Sequence, residues 1–190
     1  MSTMKTLAIT LHELADREHC VFSTSDLMGA LGEHYSGLSY TEAAAKMAVI
    51  LSRAVKGGLL RRVCRGIYYY PVQVYRVENI LFHAAARLRA SEFNYLSLET
   101  MLSEAGVISQ IPMNLITLMS SGRSHVVECG DYGRIEFVHT DQRAEMIKDE
   151  MIYDPDRRLW RASVKQALRD SRVTGRSKDI IQSEEAYEFI

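Results

Sequence analysis

Between Glu42 and Glu78 the chain has no acidic residue, yet the stretch carries Lys46, Arg53, Lys56, Arg61, Arg62, Arg65 and Arg76. In a 190-residue protein whose formal net charge is −1, such a gap is local and not a drift of composition. Periodicity narrows what this stretch can build. Ala44, Met47, Ile50 or Leu51, and Ala54 recur at helical spacing as far as Lys56, which leaves Lys46, Ser52, Arg53 and Lys56 on other faces. Either Ser39 or Thr41 can serve as the N-cap. Gly57 and Gly58 stop the helix, and Leu59 to Val63 and Ile67 to Tyr70 read as two strands around the turn Cys64-Arg65-Gly66.

Upstream, Leu7, Leu11, Leu14 and Ala15 mark an amphipathic helix from Met4 to Glu18. Ser23, Thr24 and Ser25 are suited to cap a short helix, Asp26 to Leu31, which Gly32 ends. Three helices followed by a hairpin is the order of a winged helix-turn-helix. In that arrangement the second helix of the pair enters the major groove, and a hairpin wing reaches the neighbouring backbone or minor groove. Ser39, Tyr40, Thr41, Lys46, Arg53 and Lys56 are therefore the DNA-binding candidates of the recognition helix, and Arg65 that of the wing tip. Arg61 and Arg62 point to opposite faces of their strand, which leaves open which of them faces DNA. A one-sign surface on a helix and hairpin suits a polyanion, because neutralising phosphates releases condensed counterions. A solvated basic face on an ordinary domain has the same composition.

The remainder favours a soluble globular protein. At 47% hydrophobic and 25% charged residues, disorder is not expected. No apolar run approaches the roughly 18 to 20 residues of a membrane-spanning helix, so neither an anchor nor a signal peptide is expected, and the cytoplasm is the default compartment. Cys20, Cys64 and Cys129 lack the spacing of a zinc site or a disulfide framework and are read as reduced thiols.

Past Pro71 a helix is expected from about Val74 to Ala90, and another from Leu98 to Glu104 capped by Ser97. Leu115 to Met119, Ser124 to Cys129 and Arg134 to His139 read as strands, the last two forming a hairpin around Gly130-Asp131-Tyr132-Gly133. Asp154-Pro155-Asp156 reads as the start of a last helix. Along it Arg157, Arg161, Lys165, Arg169, Arg172 and Arg176, at spacings of four, four, four, three and four, form a basic stripe relieved only by Asp170. With Arg123 these residues make a second candidate surface for an anionic partner, or a merely solvated face. The acidic tail from Asp179 to Glu188 offers one such partner.

Catalytic signals are weak. His12, His19, His34, His83, His125 and His139 form no HExxH or metal-ligand cluster, and the chain has neither a phosphate-cradling GxxxxGK nor a GxSxG elbow. His125, Cys129 and His139 are the nearest to a constellation, since adjacent strands could bring them together. Tyr68, Tyr69 and Tyr70 can stack on a nucleic acid or pack on the helices. Ser120-Ser121-Gly122-Arg123-Ser124 offers amides and an Arg for an anion. No cofactor and no metal is expected.

Three stretches carry a family resemblance. Leu51-Ser52-Arg53-Ala54-Val55-Lys56-Gly57-Gly58-Leu59-Leu60 with Arg65-Gly66-Ile67-Tyr68 is the first, and the run from Tyr95-Leu96-Ser97-Leu98 to Ala105-Gly106 is the second. The third joins Ile116-Thr117-Leu118-Met119-Ser120-Ser121-Gly122-Arg123-Ser124 to the strand from Gly133 to His139. Together they resemble the AbiEi antitoxins of bacterial abortive-infection, type IV toxin-antitoxin systems, over about Thr24 to His139. The resemblance implies a repressor of its own operon that binds upstream inverted repeats in double-stranded DNA. It also implies a protein that neutralises a nucleotidyltransferase-like toxin without a stable complex being required, with antitoxicity in the C-terminal domain.

The expected architecture is α+β: a winged helix-turn-helix over 1–73, then a mixed α/β antitoxin domain over 74–190 with an antiparallel hairpin and a basic helix at about 157–176. The leading expectation is a non-enzymatic, DNA-binding antitoxin with no membrane partner. Its rivals are a protein-interaction module docking through the basic C-terminal helix, and a small hydrolase or transferase using His125 or His139.

Overall fold

The computed structural model describes residues 3–15, 20–71, 77–108 and 114–176. It divides into two compact units, Met1–Ile80 and Leu81–Ile190. The boundary expected between residues 73 and 74, Arg76 and the acidic tail all lie outside the described residues.

The first unit runs α1 (Thr3–Leu14), β1 (Val21–Ser23), α2 (Thr24–Ala30), a 3-10 turn Gly32–Tyr35, α3 (Tyr40–Lys56), β2 (Arg61–Cys64) and β3 (Ile67–Tyr69). The strands make an antiparallel sheet in the order β1-β3-β2. Helices and hairpin follow the winged-helix order, with the short β1 added to the sheet. Its core gathers Leu7, Leu11, Phe22, Leu27, Met47 and Leu51 from α1, β1, α2 and α3, with Leu60 from the residue before β2, and burying each such side chain contributes roughly 1.5–3 kcal/mol. Two expected core positions shift. Leu14 remains 39% exposed at the end of α1, and Ala43, not Ala44, faces inward from α3. Ile50 and Leu51 are both buried, so the inward stripe of α3 is wide.

The second unit contains most of α4 (Val77–Leu88), then β4 (Asn94–Leu96), α5 (Leu98–Glu104), β5 (Leu115–Ser120), β6 (His125–Glu128) and β7 (Arg134–His139). It closes with α6 (Ala144–Ile147), β8 (Met151–Asp154), β9 (Leu159–Ala162) and α7 (Val164–Val173). Six strands form one mixed sheet in the order β6-β7-β5-β4-β9-β8. The antiparallel pair β5-β4 lies at its centre. Each of these two strands has a parallel neighbour, β7 or β9, that belongs to an antiparallel hairpin at the sheet edge. The β6-β7 hairpin has the position and direction expected. Gly133 is required in its turn: at φ +111 a Cβ would meet the Asn114 carbonyl oxygen at 2.1 Å.

The expected basic helix from 157 to 176 is corrected. Asp154-Pro155-Asp156 opens a hairpin turn between β8 and β9, in which the Asp154 Oδ1 accepts from the Arg157 N–H at 3.1 Å and its carbonyl from the Arg158 N–H at 2.8 Å. An acid ahead of a proline closes a turn as readily as it caps a helix. The helix begins ten residues later in the chain than Asp154, where Ser163 accepts from the Gln166 N–H at 3.1 Å.

Candidate nucleic-acid interface

Helix α3 is fixed at its start by a capping box. The Ser39 hydroxyl oxygen accepts from the Glu42 N–H at 3.4 Å, while the Ser39 N–H and hydroxyl donate to the Glu42 carboxylate at 2.9 and 2.7 Å. Those Ser39 bonds, with Lys46 nearby, hold the Glu42 carboxyl below the usual carboxylate range. Ser39 is therefore the N-cap, Thr41 is freed from that role, and the Ser39 hydroxyl is already engaged in the cap. Tyr40 is 81% exposed at the first residue of the helix. Thr41, Lys46, Arg53 and Lys56 are exposed as well. Among the described residues Arg53 and Lys56 have no ion-pair partner.

The wing is short and anchored. Gly66, at φ +80, lets β2 return as β3 within two residues. Its carbonyl accepts from the Thr24 N–H at 2.9 Å and hydroxyl at 3.3 Å. The tip is thus tied to the start of α2, with Arg65 exposed beside the anchor. A bulge between Arg62 and Cys64 breaks strand alternation, so Arg61 and Arg62 are both exposed. Arg62 Nε donates to the Cys64 carbonyl at 3.3 Å, which leaves Arg61 as the less constrained of the two. Tyr69 and Tyr70 are buried and Tyr68 is partly buried against the core, so the tyrosine run packs on the helices.

The second expected surface does not assemble. Arg157 pairs with Glu104 at 2.9 Å and Asp154 at 3.6 Å, and its guanidinium lies over the Phe82 ring. Arg161 meets the same Asp154 at 3.6 Å. Lys165 and Arg169 share Glu150 at 3.5 and 3.8 Å. Arg176 binds Glu99 at 3.1 Å and closes a fork on Glu136, and the Glu136 bonds hold its guanidinium charged above the ordinary range. Arg172 and Arg123 are exposed. The carboxylates that neutralise the stripe come from α5, β7, the 3-10 turn Lys148–Glu150 and the β8-β9 turn. Asp170 relieves none of it: fully buried, it accepts from the Ser97 hydroxyl at 2.6 Å, Gln142 at 2.9 Å and Gln166 at 2.8 Å. Burial raises its pKa despite those donors.

The Ser120–Ser124 turn is spent internally too. Ser120 Oγ accepts from Arg89 at 2.7 Å and the Gly122 N–H at 3.1 Å, Ser121 donates to Glu92 at 2.8 Å, and Ser124 accepts from the His139 N–H at 2.9 Å. Arg89 also donates to the Arg123 carbonyl and lies over the Phe137 ring. The β6-β7 register sets His125 opposite Phe137, with Cys129 buried beyond the far end of β6, so His125, Cys129 and His139 do not converge. His139 is held by the Gly122 carbonyl, which raises its pKa, and by Asp141. Among the described residues no three His, Cys, Asp or Glu side chains could hold a metal, and no helix is long and apolar enough to cross a membrane.

A winged helix with exposed cations on its second helix-turn-helix helix and at its wing tip is the arrangement found in many DNA-binding regulators. The match to known families narrows the class. Residues 10–71 match the family model described as "Transcriptional regulator, AbiEi antitoxin", so the first unit is similar to that family over this segment. No curated protein matches the chain.

Proposed function

We propose that the protein is a non-enzymatic, cytoplasmic antitoxin that represses its own operon, binding inverted repeats in double-stranded DNA upstream through α3 and the wing. The second unit serves antitoxicity against a nucleotidyltransferase-like toxin. The observation that carries the DNA reading is the contrast in pairing: Arg53, Lys56 and Arg65 present charge with no ion pair among the described residues, in the family-matched segment. Lys46, Arg53, Lys56 and Arg65 set position on the phosphates, while Tyr40 and Thr41 at the start of α3 meet base edges. Ser39 contributes by fixing the cap. The protein-interaction alternative has less support, since its basic helix is divided between a hairpin and α7 and five of its cations meet carboxylates.

Fluorescence-anisotropy titration against the upstream duplex and a scrambled duplex at two salt concentrations tests the proposal. Tight, salt-sensitive binding that prefers the upstream duplex is expected. Equal, weak binding to both duplexes removes the repressor role.

A further inference from the structure

Which bases can α3 read? Ala43, Met47, Ile50, Leu51 and Ala54 face the core. At about 3.6 residues per turn, the opposite side is centred on Ala45 and Ser52, with Thr41, Val49 and Lys56 beside them. Glu42, held in the capping box, lies with Arg53 and Lys46 along one flank, and Ala48 along the other. Over the first three turns the outward line therefore carries methyl groups and one hydroxyl, that of Thr41, with Ser52 following in the fourth turn. It holds none of the Arg, Asn or Gln side chains that pair bidentately with guanine or adenine. Val49 is 51% exposed there. A β-branched residue is a poor choice for a solvated helix face, where Ala, Lys or Glu forms helix better. Its exposure makes sense if a ligand covers it.

Resting on the DNA-binding reading above, we infer that Thr41, Ala45 and Val49 form a methyl-reading line. The preferred DNA accordingly places thymine C5-methyl groups in the major groove opposite them. The thymine methyl is the apolar group that a base pair offers on that edge. Short side chains along the line let the helix backbone approach the groove floor, which brings methyl against methyl. Lys46 and Arg53 on the flank, with Lys56 at the end of the line, then reach the phosphates and set the register without specifying sequence. Specificity thus comes from apolar contact, and affinity from charge.

The test begins with selection of bound sequences from random duplex DNA by the full chain. The selected duplex is then resynthesised with deoxyuridine for thymidine in each half-site, a change that removes only the methyl. Each contacted methyl lost should weaken binding about fourfold, the equivalent of one buried methylene. Val49→Ala should weaken binding to the thymidine duplex and make little difference on the deoxyuridine duplex. Helix formation is not at risk, because alanine favours it. Equal affinity for the two duplexes, with sequence selection intact, overturns the methyl line and leaves the DNA-binding reading standing. A pool that fails to enrich any sequence overturns both. If Val49→Ala costs the same on both duplexes, Val49 contacts something other than the methyl, and the inference fails.

Discussion

The cations of α3 and the wing and those of the second unit look alike in sequence, yet they behave oppositely in the fold. Both sets recur at helical or near-helical spacing. Arg53, Lys56 and Arg65 project without an ion pair among the described residues, whereas Arg157, Arg161, Lys165, Arg169 and Arg176 each meet a carboxylate. The difference arises from what the fold brings near them. Around α3 the acid-free stretch supplies no local counter-charge except Glu42, itself occupied in the capping box. In the second unit, α5 and β7 bring Glu99 and Glu136 to Arg176, and the 3-10 turn brings Glu150 to Lys165 and Arg169. A run of positive charge is thus a binding surface only if the fold leaves it unneutralised.

The largest expected effect lies on the paired side. Arg176→Ala leaves Glu99 and Glu136 without their shared partner at a partly buried site, and should cost about 2–3 kcal/mol in stability. Urea unfolding of the full chain measures it, and DNA affinity should be unchanged. If stability holds and DNA binding falls, the two sets of cations do not differ in the way their pairing suggests. On the unpaired side, Arg53→Ala should do the reverse, weakening DNA binding about tenfold while stability stays within about 0.5 kcal/mol.

Ser39 separates the two roles within one helix. Its hydroxyl belongs to the cap, so Ser39→Ala should lower stability by about 1 kcal/mol and leave base preference as it was. A changed preference would show that the hydroxyl leaves the cap to read a base. The paired side also has a pH signature. The Ser163 hydroxyl, aided by Lys165 and Arg169, holds the Glu150 carboxyl below the usual range. A carboxyl with a lowered folded pKa adds stability above its unfolded value, roughly 4.3, and loses it as pH falls through the folded value. Glu150→Gln should remove that part of the acid-side decline, under about 1 kcal/mol, in melting curves recorded from pH 6 to pH 3.

What could be read from the sequence divides along the same lines. The α3 helix, its stop at Gly57, the hairpin around Arg65-Gly66 and the β6-β7 hairpin were legible because their signals are local: caps, glycines and a periodic apolar stripe. The three-residue strands β1 and β4 were not, since Val21–Ser23 and Asn94–Leu96 are too short for alternation to register and exist because β3, β5 and β9 pair with them. Asp154-Pro155-Asp156 misled because a turn and a helix start use the same residues. Nor could Asp170 be recognised as buried: it lies among arginines in sequence, while Ser97 and Gln142, which hold it, are far away along the chain. Of the candidate site, Arg53, Lys56 and Arg65 were visible as charge. Val49 carries no charge, so nothing set it apart until the structure showed that the inward face of α3 leaves it exposed.

The smallest expected effect is the most discriminating for the wing. Arg65 sits at a tip that Thr24 ties to the start of α2 through the Gly66 carbonyl, so its backbone is held in place before any DNA arrives. A prepositioned cation meeting one phosphate adds about one unit to the slope of log affinity against log salt and carries no base preference. Arg65→Ala should therefore lower affinity equally for selected and scrambled duplexes and reduce the slope by about one. Thr24→Val removes the hydroxyl bond to Gly66 but keeps the backbone bond, so it should leave the slope unchanged and lower affinity slightly as the tip loosens. If Arg65→Ala alters neither affinity nor slope, the wing does not touch DNA, and recognition rests on α3 alone.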